Sequence, residues 1–201
     1  MKLYLVRHGE FKEVEHLDGQ IDGPLTNKGN RQAEDCAQYF INKKINAIYS
    51  SDLKRTIQTA NALNSELNLK INLKAELREI YLGEWEFNDR NDPKYADFKS
   101  EWDKHEKDLP YPNGECGQDV LNRVLKLINS INTKLNNKSI IFVTHAGVIR
   151  SLLAEYSKLD QAKRFDFYPM LCSITLIEIN ENKVSIIDKC NIEHLKTTTH
   201  L

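Results

Sequence analysis

Five residues of this sequence are of types that can handle a phosphate ester, and each lies just beyond an apolar segment. Arg7 and His8 follow the run Lys2-Leu-Tyr-Leu-Val6 and precede Gly9; His145 follows Ser139-Ile-Ile-Phe-Val-Thr144 and precedes Ala146-Gly147. Arg55 comes shortly after Asn46-Ala-Ile-Tyr-Ser50, and Glu79 shortly after Lys70-Ile-Asn-Leu-Lys74. Arginine presents a rigid fork of donors that can hold phosphate oxygens in pairs. A neutral imidazole keeps an unshared lone pair at physiological pH and is a competent nucleophile. A carboxylic acid can protonate a departing oxygen and later take a proton from water. A helix opening at Gly147 would add backbone N–H donors and a dipole that favours an anion. Gathered at one rim, the set suits a dianionic substrate and a covalent phosphoryl-transfer step.

Other polar residues read more plainly. His16, His105, His194 and His200 are expected to be solvated or satisfied in the core. Arg150, one turn into its helix, reads as structural, and Glu76, Glu84 and Glu86 read as a solvated charged face. The Trp and Tyr residues between 85 and 111 read as local core before they read as a ligand platform.

The elements around these residues alternate strand and helix. Lys2–Val6 is a β-rich run; turn chemistry follows at Asp18-Gly19 and Asp22-Gly23-Pro24. Thr26 is placed to cap a helix whose apolar positions Ala33, Cys36, Ala37, Phe40 and Ile41 share one face. Asn46–Ser50 predicts a buried strand, and Ser51 or Asp52 the cap of a helix carrying Leu53, Ile57, Ala60, Leu63 and Leu67. Residues 85–113 break the rhythm with Pro93, Pro110 and Pro112 and predict an insertion of short helices that could act as a lid. A helix bearing Val120, Val124, Leu127, Ile128, Ile131 and Leu135 follows. Ser139–Thr144 predicts the most buried strand, leading into a helix through Leu153. Cys172–Ile179 and Lys183–Ile187, joined by Asn180-Glu-Asn182, predict an antiparallel hairpin with an edge strand through which two copies could pair. The expected fold is a single α/β domain over residues 1–201, a three-layer αβα sandwich around a mostly parallel central sheet. Its ligands belong at the carboxyl ends of the strands, where parallel strands would bring Arg7, His8, Arg55, Glu79 and His145 together.

Composition narrows the function classes. The chain has 201 residues, 40% hydrophobic and 28% charged, enough to bury a sizeable core without metal or disulfide support. Its formal net charge of −1, from 28 basic and 29 acidic residues, leaves no electrostatic footprint for nucleic acid or an anionic membrane. The apolar run Leu3–Val6 is too short for a leader or a membrane span. Four well-separated cysteines (Cys36, Cys116, Cys172, Cys190) indicate neither a zinc site nor a disulfide framework, and a reduced cytoplasmic location is expected.

Five ordered blocks resemble the histidine phosphatases, the phosphoglycerate-mutase-like superfamily. They are Leu5-Val-Arg-His-Gly-Glu10, Gly19-Gln-Ile-Asp-Gly-Pro-Leu-Thr26 with Gly29 and Gln32-Ala33, Ser50-Ser-Asp-Leu-Lys-Arg-Thr-Ile-Gln-Thr-Ala60, Leu77-Arg-Glu-Ile-Tyr-Leu-Gly-Glu-Trp-Glu86 and Val143-Thr-His-Ala-Gly-Val-Ile-Arg150. The resemblance implies a nucleophilic His8 that carries a phosphohistidine, a proton donor in Glu79, and a phosphate pocket of Arg7, His8, Arg55, His145 and Ala146, with no metal or organic cofactor. Within the family, Leu82-Gly-Glu-Trp-Glu86, the aromatic insertion with Trp102, and Pro112-Asn-Gly-Glu115 are most similar to α-ribazole-5′-phosphate phosphatases of cobalamin assembly. Phe11 and Val14 depart from the small hydroxyl residue and asparagine of the mutase and bisphosphatase branches, and Cys116 replaces a frequent serine. The expected partner is a small phosphorylated metabolite. The rival readings are a broad phosphatase on sugar or nucleotide phosphates, a phosphoglycerate mutase, and a silent binding domain that keeps the pocket.

Overall fold

Alternation along the central strands decides the layers. In the computed structural model, which describes residues 1–12, 19–86, 88–132, 137–180 and 183–196, β1 (Lys2–Arg7) sends Leu3 and Leu5 to one face and Tyr4 and Val6 to the other. β4 (Ser139–Thr144) does the same with Ile140 and Phe142 against Ile141 and Val143. Both strands are apolar on both sides, which suits them to the middle of a sheet covered by helices on each face.

The remaining elements are α1 (Asn27–Gln38), β2 (Ala47–Ser50), α2 (Lys54–Leu67), β3 (Ile71–Leu73), α3 (Ala96–Trp102), α4 (Gly117–Asn132), α5 (Ala146–Tyr156), β5 (Ile174–Asn180) and β6 (Lys183–Asn191), with short 3₁₀ turns between them. The strand order is β3-β2-β4-β1-β5-β6. β1, β2, β3 and β4 run parallel, and β5 lies antiparallel to both β1 and β6. The sheet is therefore mostly parallel, as expected, and the C-terminal hairpin sits beside β1. One core layer packs α1 and α2 on the sheet through Ala33, Cys36, Phe40, Ala60 and Leu63; the other packs α4, α5 and Trp85 through Val120, Val124, Ile128, Val148, Ile149 and Leu152. Each fully buried aliphatic side chain of this kind is worth roughly 1.5–3 kcal/mol.

Register places the chemistry. Arg7 pairs with Thr144, and Ser50 with both Val143 and Leu73, so the carboxyl ends of the parallel strands align within one residue. Arg7-His8, Ser51, the segment leading to Glu79, and His145 leave the sheet at that common edge.

Several expectations need correction. Thr26 does cap α1, accepting from the Gly29 amide, but the helix stops at Gln38 and Ile41 is exposed. Neither Ser51 nor Asp52 holds the helical cap of α2: its N-cap position is Leu53, and the Lys54 amide donates to the carboxylate of Asp22. A distant loop supplies what local sequence was expected to supply. Glu86 is buried rather than solvated. Val14, His16, His200, Leu135 and part of the Asn180–Asn182 turn lie outside the described residues.

Candidate active site

His8 is fixed at three points. Its amide donates to the Thr144 carbonyl at 3.0 Å, and its own carbonyl accepts from the Cys172 amide at 3.2 Å. The ring Nδ1 lies 2.8 Å from the Gly9 carbonyl, which can only accept, so Nδ1 carries the proton and Nε2 keeps a lone pair. The Phe11 ring meets the imidazole edge-on, with centroids 5.4 Å apart.

His145 faces it with ring centroids 5.1 Å apart and planes tilted by 58°. Arg55 Nε donates to His145 Nδ1 at 3.3 Å, and His145 Nε2 lies 3.0 Å from Ser51 Oγ. Because a guanidinium only donates, the neutral ring holds its proton on Nε2 and gives it to Ser51. Both rings are buried. Burial first, then the positive charges of Arg7 and Arg55, push the His8 pKa well below the ordinary histidine value; burial and Arg55 do the same to His145. Both imidazoles are neutral at physiological pH.

Arg55, itself buried, is oriented before any ligand arrives. It donates to the Ile21 carbonyl at 2.6 Å and to the Gly19 carbonyl at 2.7 Å, and it stacks on Phe11 at 4.6 Å from the ring centroid. Arg7 is tied by Nη1 to the Pro169 carbonyl at 2.9 Å. Donors held in advance toward a developing charge are the arrangement that stabilises an equatorial phosphoryl group.

Glu79 stands over the start of α5. Its Oε1 accepts from the Gly147 amide at 2.9 Å and from the Ile80 amide at 2.8 Å. The Gly147 N–H expected to receive an anionic ligand is therefore taken by the carboxylate of Glu79, which corrects that expectation. Ala146 is the first residue of α5. The backbone carbonyl of Glu79 is held at 3.1 Å by Gln20 Nε2 and at 3.1 Å by Arg123 Nη2. Arg123 is in turn paired with Glu115.

All five residues singled out by sequence thus emerge at one edge, with His145 facing His8 and bonded to Arg55, Arg7 bonded to the neighbouring segment, and Glu79 on the amide of Gly147, two residues after His145. Sequence reasoning missed Ser51, Gln20, Arg123 and Glu86. Glu86 accepts from the Gln20 amide at 2.7 Å and the Leu82 amide at 3.1 Å, which pins the loop whose carbonyls hold Arg55. Only Ser51 left a trace, a hydroxyl directly after a buried strand; the others act across long sequence separations. Arg150 is structural as expected, its Nε donating to the Phe167 carbonyl at 3.0 Å.

The insertion spends its aromatic rings on itself. Trp85 meets Tyr95, Phe98, Trp102 and Tyr111 at centroid separations of 5.3–6.1 Å in edge-on geometry. Among the described residues, no group of three or more His, Cys, Asp or Glu side chains is placed to share a metal ion, and no helix is long and apolar enough to cross a membrane.

Comparison with known proteins gives the family. Phosphoserine phosphatase 1 of Hydrogenobacter thermophilus is 28% identical over 196 residues, covering 96% of this chain and 92% of that protein. The adenosylcobalamin/alpha-ribazole phosphatase of Escherichia coli K12 is 29% identical over 160 residues, covering 77% of this chain and 78% of that one. The solved structure of Bacillus stearothermophilus YhfR superposes with a TM-score of 0.85 at 29% identity, covering 97% of this chain and 99% of its own. The model of the histidine phosphatase superfamily (branch 1) matches residues 3–192. The chain belongs to that superfamily and is a phosphoric monoester hydrolase.

Proposed function

We propose that the protein hydrolyses phosphomonoesters through a phosphohistidine on His8, and that α-ribazole-5′-phosphate is its substrate. The observation that carries the mechanism is the neutral His8 ring, its Nδ1 proton committed to Gly9 and its Nε2 lone pair held beside two guanidinium groups. In the first step Nε2 attacks phosphorus, the ester P–O bond breaks, and Glu79 delivers a proton to the departing oxygen. In the second, water attacks phosphorus, Glu79 takes the water's proton, and the N–P bond breaks to release phosphate and neutral His8. General acid–base assistance of this kind is typically worth 10²–10⁴-fold. Arg7, Arg55 and His145 hold the phosphoryl oxygens; for His145 this requires the tautomer with its proton on Nδ1, which exchanges Arg55 for an oxygen while Nε2 accepts from Ser51.

The leaving group is read from sequence blocks and from the relatives. Leu82-Gly-Glu-Trp-Glu86 and Pro112-Asn-Gly-Glu115, together with the ribazole phosphatase among the relatives, support the ribazole ester. A second reading, phosphoserine, is favoured by the more complete match to the Hydrogenobacter phosphatase. The test is phosphate release from a panel holding α-ribazole-5′-phosphate, phosphoserine, sugar phosphates, nucleotides and 3-phosphoglycerate. A kcat/KM highest for the ribazole ester supports the first reading and one highest for phosphoserine replaces it. Interconversion of phosphoglycerates without phosphate release would overturn both.

A further inference from the structure

The segment between α5 and β5 is bonded to Arg7 and His8 of the candidate site and stitched down along its backbone. The Phe167 carbonyl accepts from Arg150 at 3.0 Å, the Pro169 carbonyl from Arg7 at 2.9 Å, the Met170 carbonyl from the Ser173 amide at 3.0 Å, and the Cys172 amide donates to His8 at 3.2 Å. Arg150 lies three residues after Gly147 on α5, and helical side chains lean toward the preceding turn. Phe167 is therefore tied to α5 within a turn of Gly147, whose amide holds the Glu79 carboxylate. Pro169, two residues on, is tied to the Arg7 fork. Residues 167–169 thus run between α5, whose first turn binds Glu79, and the Arg7 guanidinium.

The side chains of this fixed segment are inverted with respect to folding. Pro169 is buried, while Tyr168 is 71% exposed and Met170 53%. Two large, mainly apolar side chains on a bonded strap beside a polar site contribute little to the core. Three rings of the insertion, by contrast, are buried, Trp85 at 1% exposure, Tyr95 at 5% and Tyr111 at 7%, with Phe98 and Trp102 packed against them. We infer that Tyr168 and Met170 form the platform on which the leaving group rests, and that they select phosphomonoesters whose leaving group carries an aromatic or heteroaromatic ring. A tyrosine face stacks on any flat ring, and a thioether adapts to its edge. This rests on the phosphatase reading and adds the class of ester that it takes.

The experiment compares wild type with Tyr168→Ala, Tyr168→Phe and Met170→Ala on α-ribazole-5′-phosphate, p-nitrophenyl phosphate and phosphoserine, with inhibition by inorganic phosphate as the control for the phosphate seat. Tyr168→Ala should raise KM for the two ring-bearing esters at least about five-fold, the lower end of what loss of one stacking ring costs. KM for phosphoserine and the phosphate inhibition constant should change by less than about two-fold, and Tyr168→Phe should behave as wild type. An equal rise for phosphoserine, or no rise for the ring-bearing esters, overturns the platform. Calorimetric titration of α-ribazole-5′-phosphate into His8→Ala and into His8→Ala/Tyr168→Ala reads the same platform without turnover. Persistent catalysis by His8→Ala would sink the phosphohistidine step alone; equal affinity in the two calorimetric titrations would sink the platform alone.

Discussion

Gly147→Ala separates the proton donor from everything else in the site. A methyl group at position 147 would collide with Glu79 Oε1 and come within 3.2 Å of Ile80 Cγ2. The colliding atom is the end of a flexible side chain, so the carboxylate can retreat, by about 1 Å, to restore van der Waals contact. The stability cost is correspondingly small, within about 1 kcal/mol, because alanine also favours the helical conformation over glycine. The catalytic cost is not small, since a displacement of about 1 Å can lower a rate by about 10². Protonation matters only for a poor leaving group. We therefore expect kcat/KM, which reports the phosphorylation of His8, to fall about 100-fold for an alkyl phosphate and less than about five-fold for p-nitrophenyl phosphate. Steady-state assays on both esters, with the melting temperature recorded alongside, decide it. An equal fall for both esters, or no fall for the alkyl ester at an unchanged melting temperature, refutes the placement of Glu79 as the acid.

Stability should depend on pH through the two buried imidazoles. Their folded pKa values lie below the ordinary one, so below about pH 6.5 the unfolded chain binds protons that the folded chain refuses, and stability falls as pH drops at about 1.4 kcal/mol per pH unit for each histidine. Urea unfolding at about pH 7.5 and 5.5 should show this slope, reduced by roughly one proton in His8→Gln; a flat profile contradicts it. Asp22→Ala removes the carboxylate that accepts the first amide of α2 and should cost about 1 kcal/mol, a melting-temperature loss of about 2–4 °C by calorimetry. An unchanged melting temperature would show that α2 is capped otherwise. Ser51→Ala leaves the buried His145 Nε2 proton without its partner, and kcat should fall while the inhibition constant of inorganic phosphate moves little. A fall in phosphate affinity as large as the fall in kcat would contradict Ser51 as an orienter of His145.

What the sequence disclosed follows the range of the interaction. The strands ending at Arg7 and Thr144 are apolar on both faces, so their place in the middle of a covered sheet follows from residue type, and the histidines after them fall at the productive edge. Thr26 was readable as a cap because its partner is three residues away. The cap of α2 was not, because Asp22 arrives from a loop 32 positions upstream. Glu86 looked like one more exposed acid in a charged stretch. Its burial comes from two backbone amides, of which Gln20 lies 66 positions away. The same holds for Arg123, which grips the carbonyl of Glu79 from 44 positions downstream. The seat at Gly147 was misassigned because dipole and N–H donors attract any anion, and the nearest carboxylate on the chain takes the place a ligand was expected to take.

The covalent step can be read directly. The protein is mixed with ³²P-labelled ester, quenched in alkali within milliseconds, and digested for mass spectrometry. The structure predicts label on one peptide, at His8, stable to alkali and lost in acid, formed at the rate of leaving-group release and absent from His8→Ala. Label on any other side chain, or leaving-group release with no phosphorylated protein at any time, would contradict it.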